Sequence, residues 1–419
     1  MMTMLELPED LLEEIFCRVP ALSLIRLRST CKRWNRNRLL NDKKFITNHL
    51  EKSPKQFMPL MLQDFRLCLM RFNQLRFSPI RVKGKLSLID PRSSLDHIKI
   101  SQVFHCDSLL LCHTEDKIPR LVVWNPCTGQ TRWIKITRFR QGARYALGFY
   151  QDKKSNVGYS YKILSGMVHG PSFDKQDIDL YSKQEFEIYE MNSNAWRVLE
   201  VDATLDFIIL YLDHGASLKG KTYWIAEDKE KGRNKFLVSF DYSTERFEYL
   251  CLPRQYDWYE NLSLSVVRGE KLSVLLQRYL GTKTNIWVSS KICDETKAVS
   301  WSKVLSVDLD ACYLIPDGGS FVFDEERKVL VCCNWDTAAY IVGEDNNVRD
   351  YEAGSSSKLS LFDYAPSLTQ IQQDLGGKRK RGDERLRYKQ TIFVGEDDKV
   401  RQEDFLLGRI ISNTEYLTN

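Results

Sequence analysis

No apolar run in the sequence approaches the about eighteen residues that a membrane-spanning helix needs, so membrane insertion is not expected. The 11 cysteines are an odd number scattered over 419 residues, and no two form a Cys-x-x-Cys pair. That spacing argues against both a disulfide framework and a zinc ribbon. A glycine-rich phosphate loop, a nucleophile elbow and a helical pair of histidines at metal spacing are missing as well, so neither an enzyme nor a cofactor is expected. The net charge of +5, from 61 Lys and Arg against 56 Asp and Glu, is too small to make the whole surface a nucleic-acid footprint. Glu6, Glu9 and Asp10 stand where a secretory leader would carry positive charge. An intracellular protein, in the nucleus or the cytoplasm, is the expectation.

What the chain does contain is apolar matter: 43% hydrophobic and 11% aromatic residues beside 28% charged ones, enough for a sizeable core. The first fifty residues are helical in pattern. Pro8 suits a helix start, and Glu9, Asp10, Glu13 and Glu14 complement the positive end of its dipole. Leu11, Leu12, Ile15, Phe16 and Val19 recur at helical period as one apolar face, which Pro20 ends. Leu22, Leu24, Ile25 and Leu27 continue the apolar series, Ser29 is placed to cap a further helix, and Asn41 to start another over Asp42 to Leu50. Eight basic residues lie between Arg26 and Lys44 with Asp42 as the single acid. A segment this short cannot complete its own interior and needs either a partner or the rest of the chain.

The order Leu7-Pro8, Leu11, Ile15, Pro20, Leu22, Leu27, Cys31-Lys32 and Trp34 resembles the F-box, with Thr30 where that family often has Val. The resemblance implies docking onto a Skp-type adaptor and, through it, onto a cullin scaffold. It further implies that Leu7, Pro8, Leu11, Ile15, Leu22, Leu27, Cys31 and Trp34 line or support the adaptor interface.

From Phe57 the period changes from helical to two, in runs such as KLSLID, LVVWN, FEIYEM, FLVSF, NIWVS and KVLVCC. An aromatic, a polar turn and a second aromatic recur as Trp124 to Trp133, Tyr189 to Trp196 and Phe240 to Phe247. Pro126 and Gly129 supply hairpin turn chemistry in the first of these. Tyr189, Phe240, Trp287 and Tyr340 follow one another at steps of 51, 47 and 53 residues. Four-stranded units at that period predict blades of a kelch-like propeller, about six to seven of them. The 65-residue step from Trp124 to Tyr189 predicts an insertion around QDKKSNVGYS and HGPSFDKQD.

VVWNPCTGQTRWI, YALGFY, LKGKTYWIAED, LVSFDYSTERF and LFDYAPSLTQI, in that order behind an F-box pattern, resemble the F-box-associated domain of plant F-box proteins. The expected class is α+β and multidomain: an all-α F-box over 1–50, an all-β kelch-like propeller over 57–375, and a basic linker and tail over 376–419 with a candidate closing strand in QTIFVGEDD. The resemblance implies the substrate-recognition subunit of a Skp-cullin-F-box ubiquitin ligase complex, its target unknown. The rival reading is a glycan-binding or other interaction propeller independent of a ligase.

His105-Cys106 and Cys112-His113 supply zinc-ligand types, but neighbours on a strand point to opposite faces, which opposes convergence. The recurrence of Trp124, Trp196, Trp224 and Trp287 at blade-like positions assigns them to packing between blades. Lys378, Arg379, Lys380 and Arg381 form a basic run that reads either as a solvated linker or as a nuclear-import signal.

Overall fold

The computed structural model describes residues 8–30, 42–71, 81–90, 97–136, 143–151, 159–168, 184–200, 205–209, 212–228, 234–254, 260–278, 283–292, 299–309, 313–316, 318–333, 338–352 and 359–371. The period-two runs become strands of six antiparallel sheets. Blade I holds β1 (Met58–Gln63), β2 (Arg66–Arg71) and β3 (Arg81–Leu86), and blade II holds β4 (Ile100–Cys106), β5 (Leu109–Thr114), β6 (Leu121–Asn125) and β7 (Gln130–Ile134). Blade III is β8 (Arg144–Gln151), β9 (Tyr159–Val168), β10 (Gln184–Glu190) and β11 (Ala195–Val198). In blade IV, β12 (Phe207–Ile209) and β13 (Ala216–Leu218) share the first position, before β14 (Lys221–Asp228), β15 (Lys235–Asp241) and β16 (Arg246–Leu250). Blade V is β17 (Glu260–Val267), β18 (Lys271–Arg278), β19 (Lys283–Ser289) and β20 (Trp301–Asp308); blade VI is β21 (Phe321–Asp324), β22 (Val329–Cys333), β23 (Ala338–Val342) and β24 (Arg349–Glu352).

The first position of blade I is filled from the other end of the chain. β25 (Ser360–Tyr364) pairs antiparallel with β1, Leu60 opposite Phe362 and Met61 opposite Leu361. The first strands then touch in sequence around a ring, β25 to β4 to β8, through blade IV to β17 and β21, and back to β25. The described residues therefore form six blades, the lower end of the expected range, and no seventh. The stretch 390–398, expected as a candidate closing strand, lies outside the described residues.

The fifty-residue period has a structural meaning: Trp124, Tyr189, Phe240, Trp287 and Tyr340 all lie on the third strand of successive blades, β6, β10, β15, β19 and β23. Tyr189 sits directly opposite Trp196, and Phe240 opposite Phe247, with ring centroids 5.2 and 4.9 Å apart. In the first copy Trp124 faces Thr131 and Trp133 faces Val122, so the two indoles are not a cross-strand pair. Apolar clusters fill the spaces between neighbouring blades, with Trp124 in the I–II cluster and Trp224 in the cluster spanning II to IV.

The α-helices among the described residues are α1 (Glu9–Cys17), α2 (Ala21–Thr30) and α3 (Lys43–Lys52). Pro8 is the N-cap residue of α1, one position before its expected place. α2 runs unbroken through Ser29, so that residue caps no new helix. At α3 the cap is Asp42 and not Asn41: its carboxylate accepts from the Lys44 amide at 2.7 Å, satisfying one of the donors a helix start leaves free.

Alternation of strand direction sends the first-to-second and third-to-fourth turns of each blade to one face of the disc. The second-to-third loops and interblade connections go to the other. The helices lie on the first face, since their cluster includes Cys127, from the β6–β7 turn. Lys55, in the link to β1, has its ammonium 3.7 Å from where a Cβ on Gly269 would sit, in the β17–β18 turn of the same face.

Candidate functional site

α1 divides its apolar residues between two directions. Leu12, Phe16 and Cys17 are buried with Ala21, Leu24, Phe45 and Ile46. Leu11 and Ile15, expected on the same face, are 53% and 38% exposed. They stand one helical turn apart and form a stripe that is uncovered, with exposed Pro8 at its N-terminal end. Uncovered leucine and isoleucine are not themselves unusual on a protein surface; their helical spacing, on a module whose other face is filled, sets them apart as one continuous apolar stripe.

Polar contacts fix this helix against α3. Glu14 accepts from Arg18 at 2.7 Å and from Lys52 at 2.9 Å, and these hydrogen bonds hold its carboxyl below the ordinary range. His49 is buried and donates from Nε2 to the Val19 carbonyl at 2.8 Å, which ties the end of α1 to α3. Burial lowers the His49 pKa against the opposing pull of that hydrogen bond, so the ring is held neutral.

Of the residues expected at the adaptor interface, Pro8, Leu11 and Ile15 share one exposed stripe. Leu22 and Leu27 are half-buried and pack against the helical core. Leu7, Cys31 and Trp34 lie outside the described residues, as does the basic run Lys378, Arg379, Lys380 and Arg381.

The module does not complete its interior with helices alone. Cys127 and Leu368 of the propeller enter the same cluster, and burial pushes the Cys127 thiol up to about 12. Leu368 belongs to LFDYAPSLTQI, a phrase of the propeller sequence. Asn125, fully buried, donates its side-chain amide to the carbonyls of Ser367 at 3.2 Å and Thr369 at 2.7 Å. Its Oδ1 accepts from the amides of Cys127 at 2.9 Å and Thr128 at 3.3 Å. Gln130 accepts from the Ile371 amide at 2.8 Å.

The zinc-type residues of blade II separate as strand geometry requires. Cys106 faces the II–IV cluster and Cys112 the I–II cluster. His105 stacks on Phe362 at 5.8 Å and His113 on Tyr145 at 5.8 Å, on opposite sides of the sheet. Among the described residues no group of three or more His, Cys, Asp or Glu side chains is arranged to hold a metal ion. No helix among them is long and apolar enough to cross a membrane.

A small helical module with one uncovered apolar stripe, seated on a six-bladed propeller, defines the class of F-box proteins with a propeller behind the F-box. The family models agree: residues 4–36 match the F-box domain and residues 58–371 the F-box associated beta propeller domain. The chain belongs to this family. A probable F-box protein of Arabidopsis thaliana is 51% identical over 90% of this chain and 89% of its own length. A putative F-box protein of the same plant is 52% identical over 89% of this chain and 99% of its own, and an F-box/kelch-repeat protein is 43% identical over 91% and 100%. F-box proteins of this kind are, as a class, non-catalytic substrate adaptors of ubiquitin ligases.

Proposed function

We propose that this chain is the substrate-recognition subunit of a Skp-cullin-F-box ubiquitin ligase complex, working in the nucleus or the cytoplasm. The uncovered pair Leu11 and Ile15 carries the reading. With Pro8 it offers the Skp-type adaptor an apolar ridge, while Leu12 and Phe16 hold the helix from behind. The cullin scaffold is reached through the adaptor. The target is taken on the face of the propeller opposite the helices, to which the second-to-third turns of the rigid blades point. The chain makes no bond itself: ubiquitin transfer is accelerated because target and transfer enzyme are held on one assembly, which raises their effective concentration.

The test uses the full chain with Leu11→Asp and Ile15→Asp together. Both positions are solvent-facing, so the propeller is expected to unfold as in the wild type while adaptor co-purification falls by at least about tenfold, as for loss of central apolar contacts. Undiminished co-purification would remove the proposed contact.

A further inference from the structure

The stretch from Leu359 to Ile371 enters most of the apolar interior in turn. Leu359 and Leu361 lie in the cluster between blades VI and I, and Tyr364 in that between I and II. Leu368 lies in the helical core and Ile371 in the cluster spanning blades II to IV. Between Tyr364 and Ile371 the chain has no strand partner, so its backbone groups must be satisfied otherwise. Asn125 and Gln130 do so from the β6–β7 hairpin, and the Ser367 hydroxyl accepts from the Thr369 amide at 3.1 Å. Leu368, 2% exposed, is thereby presented to Leu12, Phe16 and Phe45.

We infer that residues 365–371 are a strap that makes the F-box conditional on closure of the propeller. The strap follows directly on β25, the last strand of the ring, and supplies Leu368 to the helical core, so α1 is ordered, with its docking stripe facing outward, only in a chain whose ring has closed. A chain stopped before β25 keeps the whole F-box sequence and lacks the seat for it. This goes beyond the ligase reading and stands whichever partner the stripe receives.

The experiment uses the full chain and two readouts, amide hydrogen exchange and alkylation of Cys127, each resolved by peptide mass spectrometry. Cys127 is 2% exposed beneath the helices, so it is expected to react as slowly as buried Cys332 in the wild type and to report any lifting of the F-box. Leu368→Asp should speed Cys127 alkylation and exchange in α1 and α3 by at least about tenfold, because removing a buried leucine shifts a local opening equilibrium by more than that factor. β18 and β19, in blade V and away from the strap, should keep wild-type exchange. Wild-type rates in α1 and at Cys127 would overturn the inference. Should Leu368→Asp also deprotect blade V, Leu368→Ala decides: an increase confined to α1, α3 and Cys127 supports the strap, and a uniform increase or none overturns it. Asn125→Ala leaves Leu368 in place but frees the strap, and is expected to release α1 as well; unchanged α1 exchange in that variant would overturn the strap as the cause.

Discussion

Gly148, in the YALGFY phrase on β8, is the position at which one added methyl group does most. A Cβ built there would lie 1.9, 2.1 and 2.4 Å from three ring carbons of Tyr242. Carbon atoms pack best at about 3.5–4.0 Å, so the ring would have to retreat by about 1.5–2 Å. It has nowhere to go. Tyr242 is fully buried, stands edge-on to Phe240 at 5.1 Å and accepts a hydrogen bond from the Thr222 hydroxyl at 3.1 Å. Its carbonyl also accepts from the Lys162 ammonium at 3.1 Å. Overpacking a close-packed interior costs about 1–3 kcal/mol, and a clash with a pinned ring belongs at or above the top of that range. Gly148→Ala should therefore destabilise the propeller by about 3 kcal/mol, read from urea unfolding of the full chain. Tyr242→Ala alone should cost about 3–5 kcal/mol through the cavity it leaves. In the double variant the new methyl occupies that cavity, so Gly148→Ala should cost less than about 1 kcal/mol in the Tyr242→Ala background, a coupling of about 2 kcal/mol or more. Equal costs of Gly148→Ala in both backgrounds would refute the contact as the reason for the glycine.

Two further outcomes follow from buried charge and from a half-buried imidazole. Lys162, 5% exposed, pairs with Glu245 at 2.7 Å, lies 3.6 Å from Glu190 and sits 4.2 Å above the Tyr150 ring. Glu245→Ala should cost about 3 kcal/mol in chemical unfolding, the low end for breaking a buried pair because Glu190 remains; a cost under about 1 kcal/mol would show that the pair is effectively solvated. His105 is held at about 4 by burial, against a smaller opposing hydrogen bond to the backbone of Asp107. The unfolded chain takes up this proton near pH 6.5 and the folded one only near 4, so stability drops as the pH falls between those values, by about 3 kcal/mol in total. Unfolding midpoints followed from pH 7.5 to 4.5 should lose that part of their slope in His105→Phe, and an unaltered slope would refute the assignment.

What could be read in the sequence was what recurs locally. The third-strand aromatics announced the blade period because Trp124, Tyr189, Phe240 and Tyr340 are buried in the clusters between blades, and Pro126 with Gly129 announced a turn because backbone conformation there is decided by the residues themselves. The helical module was visible through its 3.6-residue spacing, but which half of its apolar face points outward was not. Leu11 and Leu12 have the same side chain, and what separates them is tertiary: Leu24, Phe45 and Ile46 of the other helices, with Leu368 and Cys127 of the propeller, cover one side alone. APSLTQI shows no period at all, since its hydrogen bonds run to Asn125, 242 residues earlier for Ser367. The blade count was open for the same reason: β25 belongs to the first blade and lies at the far end of the chain. Ser29 has the chemistry of a cap, yet α2 continues through it to Thr30.

Seating on the propeller bears directly on how a non-catalytic adaptor accelerates a reaction. Were the helices joined only by the link from Ser53 to Phe57, five residues would let them sample a sphere of up to about 17 Å around the start of β1, and the distance from target to transfer enzyme would be spread accordingly. Leu368 and Cys127 remove that freedom, because moving α1 exposes both of them together with Leu12 and Phe16. The entropy of orientation is thus spent once, during folding, and not again at each encounter. Under the proposed ligase reading the acceptor surface is presented at one distance and one angle, set by the disc thickness between the helical face and its opposite. Loosening the strap would then depress transfer to a bound target even where adaptor and target affinities were each restored, since what it supplies is geometry and not contact area.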